Sequence, residues 1–467
     1  MEASEVPRGE VVDRVLVPFE GDGAGEGELT FGQRDLWQSI VKSGTSTVTF
    51  LAEAELGATV NAVADTLRFM MGRHQSLRTR LVLRESGLPR QRVSETGTIP
   101  LLVVAAEAGD AAEVAEAISA HWKTVPFEYE SEWPVRMAAI VVGSGSYTVT
   151  HVVTVFLHTA IDGFGLAALL TDISARDSAT GAPAGPVTAL TPLAQAAFEA
   201  SPAGRRQNAQ SLRYLERVLR GAPTRLFGGP RHGGKCRFAM LRYRSRAMHL
   251  AVQAIATRER LHESPTLLAS FLVGIGRVVG VNPLLTMMVV SNRFRPEYAD
   301  SVSALSKLVP VVLDVADISV GETVARASAE ALNAYRNAYY DAYEQDEVVD
   351  RVEGERGERF DLSCHYNDRR RRPRARAGLV APAAAEIRGA LADTELSWKQ
   401  HAHFPKIKLH LCVEDPPGAI DLVLSADQRY FSRTDMETLA RAIEEVAVQA
   451  ATAPQTPTGI ICPIAAG

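Results

Sequence analysis

One segment of the sequence changes its hydrophobic period once and so places a β-strand directly before an α-helix. In SYTVTHVVTVFLHT, residues 146–159, polar and apolar side chains alternate with the period of two that a strand imposes. One face then holds Thr148, Thr150, Thr154 and His158, and the other holds Val149, Val153, Val155 and Leu157. The next stretch, GFGLAALLTDIS, indicates a helix that begins after Asp162, whose side chain suits the N-cap. The sequence therefore predicts that His158 ends a strand on its more polar face, just before a tight turn.

Similar patterns along the chain predict a mixed α/β fold. Helices are predicted at LTFGQRDLWQSIVKS, ATVNAVADTLRFMMGRH, SLRYLERVLR, PTLLASFLVGIGRVVG and RTDMETLARAIEEVAVQA. Strands are predicted at LRTRLVLR, RMAAIVV, LLTMMVVSN and KLVPVVLDV. The stretch GAPAGPVTALTPL is rich in glycine, proline and alanine, which is typical of a linker. We therefore expect two α/β lobes, residues 1–180 and residues 181–467.

Composition excludes several classes of protein. With 467 residues, of which 46% are hydrophobic and 22% are charged, the chain can bury a large core in more than one domain. The net charge of -5 is spread over both signs, so we expect neither a nucleic acid nor a membrane as partner. The N-terminus lacks the basic and apolar regions of a signal peptide, and no apolar run approaches the ~20 residues that span a bilayer.

The four cysteines, Cys236, Cys364, Cys412 and Cys462, stand at neither metal-ligand nor redox-motif spacing. The sequence also lacks a phosphate-binding G-x-x-x-x-G-K-[ST] loop and an H-E-x-x-H zinc motif. We therefore expect a cytoplasmic monomer with no metal and no bound cofactor.

Five stretches, taken in order, resemble the condensation domains of nonribosomal peptide synthetases, which belong to the chloramphenicol-acetyltransferase-like superfamily. LTFGQRDLW resembles the opening L-[ST]-x-x-Q-x-x-L-W motif of the family, RHQSLRTRL its R-H-x-x-L-R-T motif, and VPFEYESEWPVRM its P-F-x-x-x-x-x-P-x-x-R segment. FLHTAIDG aligns with the signature H-H-x-x-x-D-G, and SNRFRPEYADSVSALSKLVPVVLDV aligns with the G-R-x-x-P-E and V-G-x-F-V-N region. The matches extend from residue 29 to about residue 440.

The resemblance implies two chloramphenicol-acetyltransferase-like lobes that form a V-shaped pseudo-dimer, with a central substrate tunnel at their junction. In that family a thioester donor, carried on a phosphopantetheine arm, enters one mouth of the tunnel and a nucleophile enters the other. Holding both substrates against one histidine would make a bimolecular reaction effectively intramolecular. The implied partners are an acyl or peptidyl carrier protein and a small amine or alcohol.

The resemblance also implies roles for particular residues. His158 takes the position of the second signature histidine, which either accepts the proton of the attacking amine or holds that amine and stabilises the tetrahedral intermediate. Asp162 is expected to point away from the chemistry and to pair with Arg293, an arginine of the second lobe. Gly163 is expected to permit a tight turn that a side chain would crowd.

The sequence departs from the family motifs at three positions: Leu157, Ser303 and Lys307. Leu157 replaces the first signature histidine, and strand alternation directs it to the packed face, so we interpret the change as the loss of a structural histidine. Ser303 stands at the glycine of V-G-x-F-V-N and Lys307 at its asparagine. Lys307 either lines the tunnel and meets an acidic substrate or extends its ammonium group to solvent.

The tract RRRRPRAR, residues 369–376, is the densest cluster of charge in the sequence. One interpretation is a solvated loop, because like charges repel one another and extend the chain. The other is a docking site for phosphate, on a carrier's arm or on coenzyme A, formed by Arg369, Arg370, Arg371 and Arg372.

These observations favour a free-standing condensation-type acyltransferase of natural-product biosynthesis, because the sequence shows no adenylation or carrier segment. It would pass an acyl group from a carrier-protein thioester to an amine, or less readily to a hydroxyl. Two alternatives stay open: an O- or N-acyltransferase that uses acyl-coenzyme A, and a catalytically silent platform that binds carrier proteins.

Overall fold

The computed structural model describes residues 6–44, 46–143, 147–177, 180–230, 237–259, 263–370, 380–399 and 407–461. The chain forms two compact units. The first comprises Met1–Ala209, Ser291–Lys307 and Tyr339–Glu344, and the second comprises Gln210–Val290, Leu308–Ala338 and Gln345–Gly467.

The two units do not divide the chain at residue 180. The stretch predicted to be a linker is held within the first unit by hydrogen bonds at its end. Gln91 Nε2 donates to the Pro192 carbonyl oxygen at 3.2 Å, and the Leu190 amide donates to the Glu297 carbonyl oxygen at 2.9 Å. These contacts extend the first unit beyond the predicted boundary.

The first unit is built on a five-stranded sheet with the strand order β1-β6-β7-β8-β3. The strands of the first unit, in chain order, are β1 (Glu10–Glu20), β2 (Gly25–Glu28), β3 (Thr47–Glu53), β4 (Thr79–Val82), β5 (Arg90–Val93), β6 (Thr96–Ala105), β7 (Val135–Val142) and β8 (Thr148–Leu157). Its helices are α1 (Phe31–Ser43), α2 (Val60–Arg73), α3 (Ala111–Thr124), α4 (Gly163–Ser174), α5 (Pro192–Ala200) and the first part of α6 (Pro202–Gly221). A smaller sheet has the order β2-β5-β4.

The two faces of the five-stranded sheet are covered by different helices. Apolar side chains of α2 and α4, such as Leu67 and Leu169, pack with one face, and those of α3, such as Ile118 and Trp122, pack with the other. The predicted α4 is confirmed in full: it begins at Gly163, directly after its cap, Asp162.

β8 differs from the predicted alternation at one point. A register shift in the β7–β8 ladder pairs Ile140 with His151 but Val141 with Val149, which marks a β-bulge. The extra residue reverses the alternation, so Val149 belongs to the cluster that contains Phe156 and not to the one that contains Leu157. The face that holds Thr154 is buried as well. The predicted grouping of Thr148 and Thr150 with Thr154 and His158 on one face is therefore wrong.

The second unit is built on a seven-stranded sheet with the order β11-β10-β12-β14-β15-β9-β13. Its strands are β9 (Phe238–Ser245), β10 (Leu284–Val290), β11 (Lys307–Leu313), β12 (Cys364–Asp368), β13 (Glu395–Lys399), β14 (Leu409–Glu414) and β15 (Ile420–Asp427). The helices of the second unit are the rest of α6, α7 (Arg246–Glu259), α8 (Ser264–Val279), α10 (Val320–Arg336), most of α11 (Ala342–Arg356), α12 (Ala384–Gly389) and α13 (Arg433–Thr452). The short α9 (Pro296–Ala299) lies in a segment of the first unit.

The two sheets share an arrangement that was not visible as sequence similarity. In the first unit, β6 and β7 are parallel, β7 and β8 form an antiparallel pair, and β8 pairs with β3. In the second unit, β12 and β14 are parallel, β14 and β15 form an antiparallel pair, and β15 pairs with β9. A helix follows the antiparallel pair in each case, α4 after β8 and α13 after β15.

The most apolar helix of the second unit is a core helix. In α8 the residues from Pro265 to Gly276 are all buried. None of the helices in the described ranges combines the length and the apolar character that crossing a bilayer requires.

Leu157 gives a test of the core of the first unit. The side chain is 4% exposed and packs with the α3 cluster. We expect Leu157→Ala to lower the free energy of unfolding by roughly 2 to 5 kcal/mol, because truncation leaves a cavity. Urea denaturation measures the loss, and Leu56→Ala is the control because Leu56 is fully exposed. Equal stabilities of the two variants would contradict the packed position of Leu157.

Candidate active site

His158 is the first residue after β8, and hydrogen bonds fix both its backbone and its ring. Its amide donates to the Ser46 carbonyl oxygen at 2.9 Å, next to the start of β3. Its ring Nδ1 lies 2.9 Å from the carbonyl oxygen of Ile161. A carbonyl oxygen can only accept, so Nδ1 carries the hydrogen and the neutral ring leaves Nε2 as an acceptor. The side chain is partly exposed, so this acceptor belongs to a ring that solvent reaches.

The turn after His158 is closed by reciprocal hydrogen bonds. The Ile161 amide donates to the His158 carbonyl oxygen at 3.2 Å, while the ring of His158 donates back to Ile161. Asp162 then caps α4 by accepting from the Gly165 amide at 2.7 Å. The orientation of the histidine thus depends on where the turn and the helix start are held.

The carboxylate of Asp162 holds both the turn after His158 and the start of α4 in place. Arg293 Nη1 donates to Asp162 Oδ2 at 3.0 Å, and Arg293 Nη2 lies 3.0 Å from Oδ1. Oδ2 also accepts from the amides of Leu305 and Ser306, at 2.9 and 2.8 Å, and from the Ser306 hydroxyl at 2.8 Å. The Asp162 and Arg293 side chains are 3% and 7% exposed. One buried carboxylate therefore joins the histidine turn to the segment 291–307.

Electrostatics favours the charged form of this carboxylate. Burial by itself would raise the pKa of Asp162, but the positive charge of Arg293 and the hydrogen bonds from Arg293, Gly165 and Leu305 outweigh it, so the pKa lies below its ordinary value.

The ion pair between Asp162 and Arg293 was expected to join two lobes. It lies within the first unit, because the segment 291–307 belongs to that unit.

The glycine that the turn requires is Gly165 and not Gly163. A Cβ atom at Gly163 would meet no atom within 4 Å, so crowding does not explain that glycine. A Cβ atom at Gly165 would lie 2.9 Å from the Ser303 carbonyl oxygen and 3.1 Å from Arg293 Nη2. Gly165 therefore lets the start of α4 approach the residues that bind Asp162. The second glycine of GFG was the available sequence signal, and it was missed.

Ser303 contributes its backbone to the same arrangement. Its carbonyl oxygen accepts from Arg293 Nη2 at 2.8 Å and from the Asp162 amide at 3.3 Å. Its hydroxyl lies 2.7 Å from the Ser301 hydroxyl, and the residue is 4% exposed. These contacts give Ser303 a structural place beside the ion pair.

The comparisons with known proteins identify the fold and the family. The family model for the condensation domain matches residues 27–461. The chain belongs to the condensation-domain family. A relative, the AMB antimetabolite synthetase AmbB of Pseudomonas aeruginosa, is 28% identical over 306 residues, which make up 63% of this chain and 24% of the relative. The chain thus spans about a quarter of that synthetase.

Solved structures confirm the mixed α/β fold of this condensation domain. One is a condensation domain that mediates chain release from the enacyloxin polyketide synthase, with a TM-score of 0.68, 19% identity, and coverage of 96% of this chain and 85% of that one. Another is the X-domain from teicoplanin biosynthesis, with a TM-score of 0.69, 17% identity, and coverage of 95% and 99%. The predicted chloramphenicol-acetyltransferase-like fold class agrees with both.

Lys307 is buried in the condensation domain, so the interpretation in which it extends to solvent is wrong. The residue is 2% exposed, and its Nζ lies 3.0 Å from Asp35 Oδ2 and 5.0 Å from the ring centroid of Tyr340. A carboxylate and an aromatic face both stabilise a buried ammonium group. The contact of Lys307 with an acidic substrate stays a prediction.

The arginine tract is not a uniform solvated loop. Arg370 has a side chain that is 7% exposed, and it forms ion pairs with Asp368 at 2.9 Å and Glu263 at 2.8 Å. Although burial opposes the charge, these carboxylates raise the pKa of Arg370 above its ordinary value. Arg369 is 53% exposed, with Glu414 at 3.8 Å. Arg371 and Arg372 lie outside the described residues.

Arg370 is therefore removed from the predicted phosphate-docking set, because its guanidinium already forms ion pairs with two carboxylates.

Two residues that contact Asp162 and His158 were not predicted from the sequence. Ser306 gives two hydrogen bonds to Asp162, and the Ser46 carbonyl oxygen receives the His158 amide. No pattern in the sequence marks either contact, since both depend on tertiary structure.

The buried ion pair predicts a pH-dependent contribution to stability. A lowered pKa means that Asp162 stabilises the fold at pH values above its unfolded pKa, ~3.9, and that this stabilisation is lost as pH falls through the folded pKa. Asp162→Asn should lower the free energy of unfolding by about 3 to 5 kcal/mol at pH 7. The difference from the native chain should shrink below about pH 4. Denaturation at a series of pH values measures it, and a difference that grows with acid would refute this role for the charge.

Adjacent arginines provide a matched test of the tract. We expect Arg370→Ala to lower the free energy of unfolding by about 3 to 5 kcal/mol, because it leaves two carboxylates without their buried partner. Arg369→Ala should change it by less than about 0.5 kcal/mol, because the residue is exposed. Urea denaturation of both variants decides the point. Similar effects of the two substitutions would contradict the difference in burial between Arg369 and Arg370.

Proposed function

We propose that the chain transfers an acyl group from a thioester on the phosphopantetheine arm of a carrier protein to an amine, and so forms an amide. The observation that carries this proposal is the fixed His158 ring, whose Nδ1 is bound to the Ile161 carbonyl oxygen and whose Nε2 is left as an acceptor. Membership of the condensation-domain family supports it, since members of this family generally catalyse amide-bond formation.

The reaction requires that the protein align the two substrates and supply one hydrogen-bond or proton acceptor. The amine nitrogen attacks the thioester carbonyl carbon, and Nε2 of His158 accepts a hydrogen bond or a proton from that nitrogen as the C–N bond forms. The tetrahedral intermediate then collapses by breaking the C–S bond, and the proton passes to the departing sulfur. Whether the histidine acts as a base or as a positioning group, the same nitrogen atom is used.

Leu157 bears on the alternative of a catalytically silent platform. The loss of the first signature histidine is the observation that favours that alternative. Leu157, however, is packed in the α3 cluster, and the turn that carries His158 is fully held by Asp162 and Arg293. These contacts keep the ring of His158 in a fixed position although the first signature histidine is replaced, so we favour the acyltransferase. A coenzyme A thioester as donor, and a hydroxyl as acceptor, are the remaining variants of the proposal.

The test is the activity of His158→Ala. We expect the rate of acyl transfer from a carrier-protein thioester to fall by about 10² to 10⁴ while the unfolding transition stays close to that of the native chain. His151→Ala is the control, since His151 is a partly exposed histidine of β8, the strand that precedes His158. It should leave the rate within about twofold.

Parallel assays with a carrier thioester and with acyl-coenzyme A separate the alternatives. Transfer from the carrier alone supports the proposal, and transfer from coenzyme A alone would replace the donor. Full activity of His158→Ala with either donor would overturn the assignment of the histidine. Binding of the carrier without any transfer would leave the silent platform.

A further inference from the structure

The second unit contains a concave pocket of about 420 Å³, which is large enough for a small molecule. It is lined by residues of three loops and of the strand ends beside them: Thr224, Arg225, Phe227, Gly228, Gly229, Arg359, Phe360, Asp361, Lys408 and Tyr430. A narrower cleft adjoins it and shares four of these residues, Phe227, Gly228, Gly229 and Tyr430. All of the lining residues belong to the second unit.

The pocket carries more positive charge than its own carboxylate neutralises. Lys408 Nζ donates to Asp361 Oδ2 at 2.9 Å, so these two charges compensate each other. Arg225 and Arg359 are exposed, and neither has a hydrogen bond or an ion pair with another described residue. Within the described part of the chain, two guanidinium groups therefore stand at the pocket without an anionic partner. Their planar arrangement of donors suits the oxygen atoms of a phosphate group.

The walls favour an anion that carries an organic group. Phe227, Phe360 and Tyr430 contribute aromatic rings, and Lys408 Nζ lies over the Tyr430 ring at 4.4 Å from its centroid. These rings can pack against an organic group that is attached to the anion. The nearby carboxylate of Glu358 accepts from the Thr224 hydroxyl at 2.5 Å and is not part of the lining.

The position of the pocket in the fold corresponds to that of His158. Lys408 directly precedes β14 and Tyr430 follows β15, and the register places Leu409 opposite Ala426 at this end of the pair. His158 follows β8 at the corresponding end of the β7–β8 pair. The loop after β15, residues 428–432, holds no histidine, whereas His365 and His410 lie in β12 and β14 near this end of the second sheet.

We propose that this pocket binds a phosphate monoester, whose two negative charges pair with Arg225 and Arg359 while its organic part lies against the aromatic walls. The proposal concerns the second unit alone and does not depend on acyl transfer by His158. A monoester carries two charges above its second pKa of ~6, whereas a diester carries one.

Titration calorimetry of the full chain at pH 8 tests the proposal with phenyl phosphate and methyl phenyl phosphate as probes. We expect saturable binding of the monoester and at least about tenfold weaker binding of the diester. Arg225→Gln and Arg359→Gln should each weaken monoester binding about tenfold. The matched control is the double variant Arg388→Gln and Arg441→Gln, which removes two exposed arginines of the same unit outside the pocket and should leave binding unchanged.

Coenzyme A and dephospho-coenzyme A, which differ by one phosphate monoester, identify the source of the ligand. A preference for coenzyme A that the Arg225 and Arg359 variants abolish assigns the pocket to that cofactor. Equal binding of the two, beside tight binding of phenyl phosphate, assigns it to smaller monoesters. The absence of saturable monoester binding, equal affinity for the diester, or an equal loss in the control variant would overturn the proposal.

Discussion

Asp162 places a full negative charge in the interior of the first unit, and the surroundings of His158 are arranged around it. Desolvation of a carboxylate is costly, so a buried one persists only when donors fill its oxygen atoms. Here the donors come from Arg293, from the start of α4 and from two consecutive residues, Leu305 and Ser306. Satisfying one charge thereby fixes the turn, the helix start and a distant segment of the chain in one position.

The parts of the fold that local patterns control were predictable. The change of period between β8 and α4 placed the helix start at Gly163, and α13 and α2 followed from their apolar spacing. The bulge in β8 was not predictable, because alternation was assumed to run unbroken and one extra residue reverses it. The extent of the first unit was missed for a related reason: the hydrogen bonds that hold residues 190–192 involve partners about a hundred residues away.

The environments of charged side chains were also not predictable from local sequence patterns. Arg369 and Arg370 are neighbours of identical type, yet one is exposed and the other is enclosed by Asp368 and Glu263. Lys307 is buried against Asp35, although lysine is rarely buried. The energy of a charge depends on its partners, and those lie elsewhere in the chain. The Asp162–Arg293 pair was foreseen only because the resemblance supplied a partner that composition and spacing do not reveal.

The ring of His158 is oriented by a peptide carbonyl group and not by a carboxylate. A peptide group neither ionises near neutral pH nor changes when a side chain is replaced. The orienting contact therefore adds no ionisable group beside the ring. Because the acceptor is a main-chain atom, no single side-chain replacement can remove it directly. A substitution at Asp162 or Arg293 can act on the ring only by moving the backbone between His158 and Ile161.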